Sequence, residues 1–89
     1  MKIIEVDCMA IPDRIAFHQV LANTLSFPVW YGTNLDALHD CLTDIQEDTC
    51  LRLLHWKDAN FLSEIFPTAA RRVMEHAAKE NPHLQIEFL

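Results

Sequence analysis

The chain has 89 residues and a formal net charge of −6, which predicts one small acidic domain, 1-89. An acidic protein repels phosphate groups, so direct binding to nucleic acid or to an anionic membrane is disfavoured. No apolar run approaches the ~20 residues that a membrane-spanning helix needs, and Glu5 and Asp7 interrupt the first apolar stretch before it could act as a signal peptide. We therefore expect a cytoplasmic protein.

The first half of the chain predicts a strand and two helices. Lys2 to Val6 is rich in β-branched residues and is typical of a strand. Pro12 suits the first turn of a helix that continues at helical spacing and ends before Pro28. Residues 30–33 predict a loop, in which Gly32 could adopt a positive φ without steric cost. A second helix is expected from about Asn34 to Thr43.

The second half predicts two further strands with helical segments between them. Cys50 to Leu54 and the alternating stretch 84–88 are typical of strands. Helical patterns near 58–66 and 68–81 are expected to be separated at Phe66-Pro67, because proline disfavours a helical residue before it. Strands separated by helices predict an α/β fold, with a three-stranded parallel sheet packed by about four helices.

Neither the cysteines nor the histidines predict a metal site or a cofactor. Cys8, Cys41 and Cys50 are an odd number without paired spacing, which favours reduced thiols over disulfides. His39 and Cys41 lie two positions apart on a predicted helix and would point to different sides. No pair of ligands recurs at zinc spacing.

Almost all of the charge imbalance falls on the second helix and the residues after it. Between Ile15 and Leu51 there are five acidic residues and neither lysine nor arginine. Asp36, Asp40 and Asp44 repeat every four residues on the polar side of the helix, opposite an apolar arc. Such a ladder costs ~0.2–0.5 kcal/mol for each like-charge pair, so it indicates either a solvated face or a binding surface. The nearby aromatic residues Trp30 and Tyr31 favour a binding surface, although Tyr31 could equally be a core residue.

The segment from Pro28 to Thr43 closely resembles the signature of the barstar family, intracellular inhibitors of the secreted ribonuclease barnase. The resemblance includes a tyrosine–glycine pair, a capping asparagine and two aspartates, and it extends to Trp56 and Glu80. The residues that carry it are Pro28, Tyr31-Gly32, Asn34-Leu35-Asp36-Ala37-Leu38 and Asp40-Cys41-Leu42-Thr43. It implies a protein without catalytic activity whose partner is a basic, guanyl-preferring microbial ribonuclease.

The resemblance also implies which residues bind the partner. Asp40 would sit deepest in the ribonuclease active site in place of a substrate phosphate, and Asp36 would meet further basic residues. Trp30 would pack on a ribonuclease histidine, and Glu80 would make a peripheral acidic contact. The implied partner-binding set is Trp30, Asn34, Asp36, His39, Asp40, Thr43 and Glu80.

The chain departs from the family pattern at four positions near this surface. His39 and Ile45 stand where barstar has tryptophans, Asp44 where it has glycine, and His76 where it has a second peripheral acid. These departures predict a partner whose surface differs from that of barnase. One alternative is therefore an immunity protein against a toxin nuclease of a neighbouring family.

Two further functions are compatible with the charge pattern. Asp36 and Asp40 could act as paired carboxylates in an enzyme, but no apolar pocket flanks them in the sequence to raise one pKa. The chain could instead be an acidic protein-interaction module unrelated to nucleases. In each case we expect the free protein to be a monomer.

Overall fold

The computed structural model describes residues 1–58 and 66–89, in which three parallel strands form one sheet. The strands are β1 (Lys2–Asp7), β2 (Thr49–Leu54) and β3 (Leu84–Phe88), and β2 lies between the other two. The described α-helices are α1 (Arg14–Thr24), α2 (Leu35–Thr43) and α3 (Phe66–Glu80). The predicted α/β class and the parallel sheet are confirmed.

Helices α1 and α3 begin at residues other than the predicted ones. Asp13 caps α1 by accepting a hydrogen bond from the Ala16 backbone N–H at 2.8 Å, so Pro12 precedes the cap and the prediction that it lies in the first turn is wrong. In α3, Pro67 occupies the first turn, where its missing N–H costs nothing. That helix therefore begins at Phe66, two residues before the predicted start at Thr68.

The predicted number of helices, about four, exceeds the three α-helices found in the described residues. The fourth predicted helix is the one near 58–66, and positions 59–65 lie outside the described residues. Just before them, Trp56–Asp58 forms a short 3-10 turn.

The hydrophobic core lies against one face of the sheet and fixes the position of α2. Neighbouring strands align Val6 with Leu53 and Leu51 with Ile86 on this face. Side chains from all three helices complete the core, among them Phe17, Leu21, Leu38, Leu42 and Met74, each with 0% exposure. Burial of a leucine side chain contributes about 1.5–3 kcal/mol, so this packing sets which side of α2 faces solvent.

The other face of the sheet carries a row of ion pairs across the three strands. Arg52 on β2 donates from Nη1 to Glu5 Oε2 at 2.8 Å and from Nε to Glu87 Oε1 at 2.9 Å. These side chains remain partly exposed, so each pair contributes about 0–1 kcal/mol.

The three cysteines are free, buried thiols, as expected for reduced residues. Burial, with a smaller effect of Asp7, raises the pKa of Cys8 to about 11. Burial also raises the pKa of Cys41, so neither thiol is a nucleophile near neutral pH. Among the described helices, none has both the length and the apolar character needed to cross a bilayer.

Candidate functional site

The outer side of α2 presents three aspartates to solvent, here called the acidic face: Asp36, Asp40 and Asp44. The predicted apolar arc is confirmed, because Leu38, Cys41 and Leu42 are buried on the opposite side. The Asp40 side chain is 82% exposed. Across residues 1–58 and 66–89, no lysine or arginine forms an ion pair with the acidic face. Its negative charge is therefore available to a partner.

Asn34 caps the N-terminal end of α2 and fixes the loop before it. Its Oδ1 accepts from the Ala37 backbone N–H at 2.8 Å, and its Nδ2 donates to the Gly32 carbonyl at 2.8 Å. The prediction that Gly32 would use a positive φ is wrong, since Thr33 carries it instead, with φ 34°. A Cβ at Gly32 would lie 3.1 Å from Asn34 Nδ2, so glycine leaves room for the cap.

The loop before α2 presents Trp30 outward and turns Tyr31 inward. Trp30 is 75% exposed and Val29 is fully exposed. Tyr31 packs on Phe27, with ring centroids 5.0 Å apart, and its hydroxyl lies 2.6 Å from His18 Nδ1. Tyr31 thus contacts the core, and Trp30 is the aromatic side chain that a partner can reach.

The contact between Tyr31 and His18 has a defined protonation state near neutral pH. Burial, with a smaller effect of Arg14, lowers the pKa of His18, while burial raises the pKa of Tyr31. A neutral imidazole and a protonated phenol form one hydrogen bond, in which we assign the Tyr31 hydroxyl as donor to Nδ1. This bond ties the Trp30 loop to α1.

At the other end of the acidic face, Thr43 and Asp44 close the last turn of α2. Thr43 Oγ1 lies 3.0 Å from the carbonyls of both His39 and Asp40, to which it can donate. Asp44 is the C-cap residue, where the negative end of the helix dipole opposes its charge. The charge of Asp44 therefore adds to the negative potential at this end of the helix.

His39 links α2 to the C-terminal end of α3. Its Nε2 lies 3.2 Å from Glu80 Oε1, and its Nδ1 lies 3.7 Å from Asp40 Oδ1. The hydrogen bond with Glu80, followed by the weaker effects of the Glu80 and Asp40 charges, raises the pKa of His39 above 6.5. The structure thus brings together His39, Asp40 and Glu80, three residues of the implied partner-binding set that are up to 41 positions apart.

A groove of about 500 Å³ separates the outer edges of α2 and α3. Asp36, Asp40 and His39 line it from α2, and residues of α3 line the opposite wall. Sequence reasoning missed two members of that wall, Arg72 and Val73. The buried spacing of Ala70, Met74 and Ala77 on α3 could have indicated them, because it leaves positions 72, 73 and 76 beside the buried stripe.

No three His, Cys, Asp or Glu side chains within 1–58 and 66–89 lie close enough together to hold a metal ion. The described surface offers charged and aromatic side chains, namely the acidic face and the indole of Trp30. Exposed carboxylates on a helix, a preformed aromatic loop and a peripheral acid are typical of a protein-binding surface.

Comparison with known proteins identifies relatives over nearly the full chain. Residues 1–88 match the family model described as Barstar (barnase inhibitor). The chain is 32% identical over 88 residues to the protein named "Putative ribonuclease inhibitor YrdF" of Bacillus subtilis (strain 168). That alignment covers 99% of this chain and 94% of its relative, so it includes the acidic face, the Trp30 loop and the end of α3.

Proposed function

The chain belongs to the barstar family, and we propose that it inhibits a microbial ribonuclease of the barnase type by covering its active site. The acidic face of α2 and the loop that carries Trp30 form the proposed contact surface. The observation that carries the proposal is the exposed row of carboxylates, which no lysine or arginine of the described chain neutralises. The active site of a ribonuclease binds phosphate through cationic donors, so this row complements it.

Asp40 has the central role in the proposed complex. Its carboxylate points away from the core and is 82% exposed, so it can enter a concave site without rearrangement of α2. There it would take the place of a substrate phosphate and accept charge-assisted hydrogen bonds from arginine or histidine donors. Asp36, one helical turn before it, would meet further basic groups at the edge of the same site.

Trp30 provides the apolar part of the proposed contact. Its indole can cover an aromatic or histidine ring of the enzyme, and tryptophan is among the residues that contribute most at protein interfaces. The hydrogen bond between Tyr31 and His18 holds the loop to α1 before binding. A preformed loop loses less conformational entropy on binding, which favours affinity.

The other residues of the implied partner-binding set would lie around Asp40 and Trp30 in the complex. Asn34 and Thr43 lie at the two ends of α2 and would add polar contacts there. His39 and Glu80 form one hydrogen-bonded unit at the side of the acidic face. We place this unit at the periphery of the complex, where the charge of Glu80 would face a basic rim.

A second candidate function is immunity against a toxin nuclease of another family. The groove beside Asp40 carries Arg72 and His76 on α3, so the surface is not uniformly negative. A partner with mixed charges fits that surface better than one that is basic throughout. An acidic interaction module without a nuclease partner is the third possibility.

An inhibition assay against a panel of purified nucleases distinguishes these functions. The panel contains barnase-type ribonucleases and toxin nucleases of other families, each assayed by cleavage of a fluorogenic RNA with increasing amounts of the chain. We expect stoichiometric inhibition of a barnase-type enzyme, lost in Asp40→Asn and retained in Glu47→Gln. Glu47 is an exposed acid outside α2, so that variant controls for the loss of one charge.

Inhibition confined to a toxin nuclease of another family would favour the immunity function. If a large excess of the folded chain inhibits no member of the panel, the proposal that it inhibits nucleases is contradicted.

A further inference from the structure

The groove between α2 and α3 has walls of opposite charge. Asp36 and Asp40 line the α2 wall, whereas Arg72, Val73 and His76 line the α3 wall. The segment from Ile15 to Leu51 contains neither lysine nor arginine, so the guanidinium in this groove comes from α3. A ligand seated in this groove meets both signs of charge within one site.

Arg72 forms no ion pair with a carboxylate of the described residues. Its neighbour Arg71 has a structural role, because its Nε lies 3.6 Å from Glu75 Oε2 and its guanidinium lies 4.5 Å from the centre of the Phe88 ring. By contrast, no carboxylate of the described chain lies within 4.0 Å of the Arg72 guanidinium, although both aspartates line the same groove. Arg72 is exposed and available to a partner.

A guanidinium presents a planar set of donors that matches a carboxylate in a bidentate arrangement. Val73 and Leu35 line the same groove and add apolar surface beside the guanidinium. The α3 wall therefore fits an acidic side chain.

We propose that Arg72 is a specificity-determining residue that binds a carboxylate of the ribonuclease, while Asp40 binds the cations of its active site. This inference rests on the proposed function. It specifies the surface of the ribonuclease that would bind: a basic active site with an acidic side chain at its rim. Binding through both signs of charge sets the orientation of the two proteins and disfavours enzymes that are basic across the whole contact area.

The first test compares Arg72→Gln with the matched control Arg71→Gln against the ribonuclease that the panel shows to be inhibited. Both variants lose one arginine from adjacent positions of α3, and thermal unfolding reports whether either loses its fold. We expect Arg72→Gln to weaken binding at least tenfold and Arg71→Gln by less than threefold. Unchanged or tighter binding by Arg72→Gln overturns the inference, yet it leaves the proposed inhibition of a ribonuclease standing.

A second test needs no ribonuclease. The Nε–H resonance of Arg72 is followed by NMR while the labelled chain is titrated with acetyl-Arg-Gly-Gly-Glu-amide or with its glutamine analogue, both at millimolar concentration. We expect a saturable shift of the Arg72 resonance with the glutamate peptide, a smaller shift with the glutamine peptide and no comparable shift for Arg71. Equal shifts with the two peptides, or equal shifts of the two arginines, would overturn the inference that Arg72 binds a carboxylate. This holds even if the nuclease panel shows inhibition.

Discussion

The side-chain amide of Asn81 donates to the carbonyl of Leu42 at 2.9 Å and so joins the end of α2 to the residue that follows α3. The same Nδ2 donates to the Ile45 carbonyl at 2.9 Å, and Oδ1 accepts from the His83 backbone N–H at 2.9 Å. The last carbonyls of a helix have no partner within the helix. Asn81, which is buried, provides partners for them and fixes α2 against α3.

Asn81→Ala is therefore expected to lower the free energy of unfolding by about 2–3 kcal/mol, because it removes the side-chain hydrogen bonds to the carbonyls of Leu42 and Ile45. Urea unfolding followed by circular dichroism measures the change. Asn23→Ala, at an exposed position of α1, serves as the control and is expected to change stability by less than about 0.5 kcal/mol. Equal effects of the two substitutions would show that the Asn81 contacts do not stabilise the end of α2.

Local sequence patterns predicted the acidic face because spacing along one helix decides it. The apolar arc of α2 and the cap at Asn34 follow from residues within a few positions of one another. The groove could not be predicted in this way, since it forms between Arg72 and Asp40, which are more than thirty positions apart in the chain. The role of Asn81 depended on an atom that folding brings close to it, the Leu42 carbonyl.

The protonation of His39 is expected to make stability depend on pH. Glu80, and more weakly Asp40, raise the folded-state pKa of His39 above 6.5. The resulting stabilisation is fully present below the ordinary pKa and is lost as the pH rises through the raised value. The stability advantage of the wild type over His39→Gln should thus be larger at pH 5 than at pH 8. Urea unfolding at both pH values measures it, and an advantage that does not change with pH would contradict this role.

Protonation of His39 should weaken binding to the ribonuclease, although it stabilises the fold. Protonated His39 places a positive charge beside Asp40, so affinity for a basic ribonuclease should weaken as the pH falls from about 7 to 5. His39→Trp removes this charge and adds apolar area, and we expect its affinity to depend less on pH. Calorimetric titration of both proteins at several pH values isolates the effect, because histidines of the enzyme contribute equally to both profiles. Superimposable profiles and equal affinities would exclude His39 from the interface.

Electrostatic attraction should raise the rate at which the chain associates with a basic ribonuclease. The acidic face and the adjoining acids concentrate negative potential around α2, and the Debye length shrinks from ~10 Å at 0.1 M salt to ~3 Å at 1 M. Stopped-flow measurements should show an association rate that falls steeply over this range, while the dissociation rate changes less. An association rate that is independent of salt would contradict steering.

The proposed inhibition depends most on Asp40 as the residue that enters the ribonuclease active site. The most direct measurement is the dissociation constant of the inhibited enzyme with wild type, Asp40→Ala and the control Glu47→Ala, obtained by calorimetric titration at constant pH and salt. We expect Asp40→Ala to weaken binding by about 2–5 kcal/mol, because it leaves cations of the enzyme buried and unpaired. Its folding stability should stay equal or rise, since repulsion within the acidic face decreases. An Asp40→Ala affinity within twofold of the wild type, or no weaker than that of Glu47→Ala, would contradict the proposed role of Asp40.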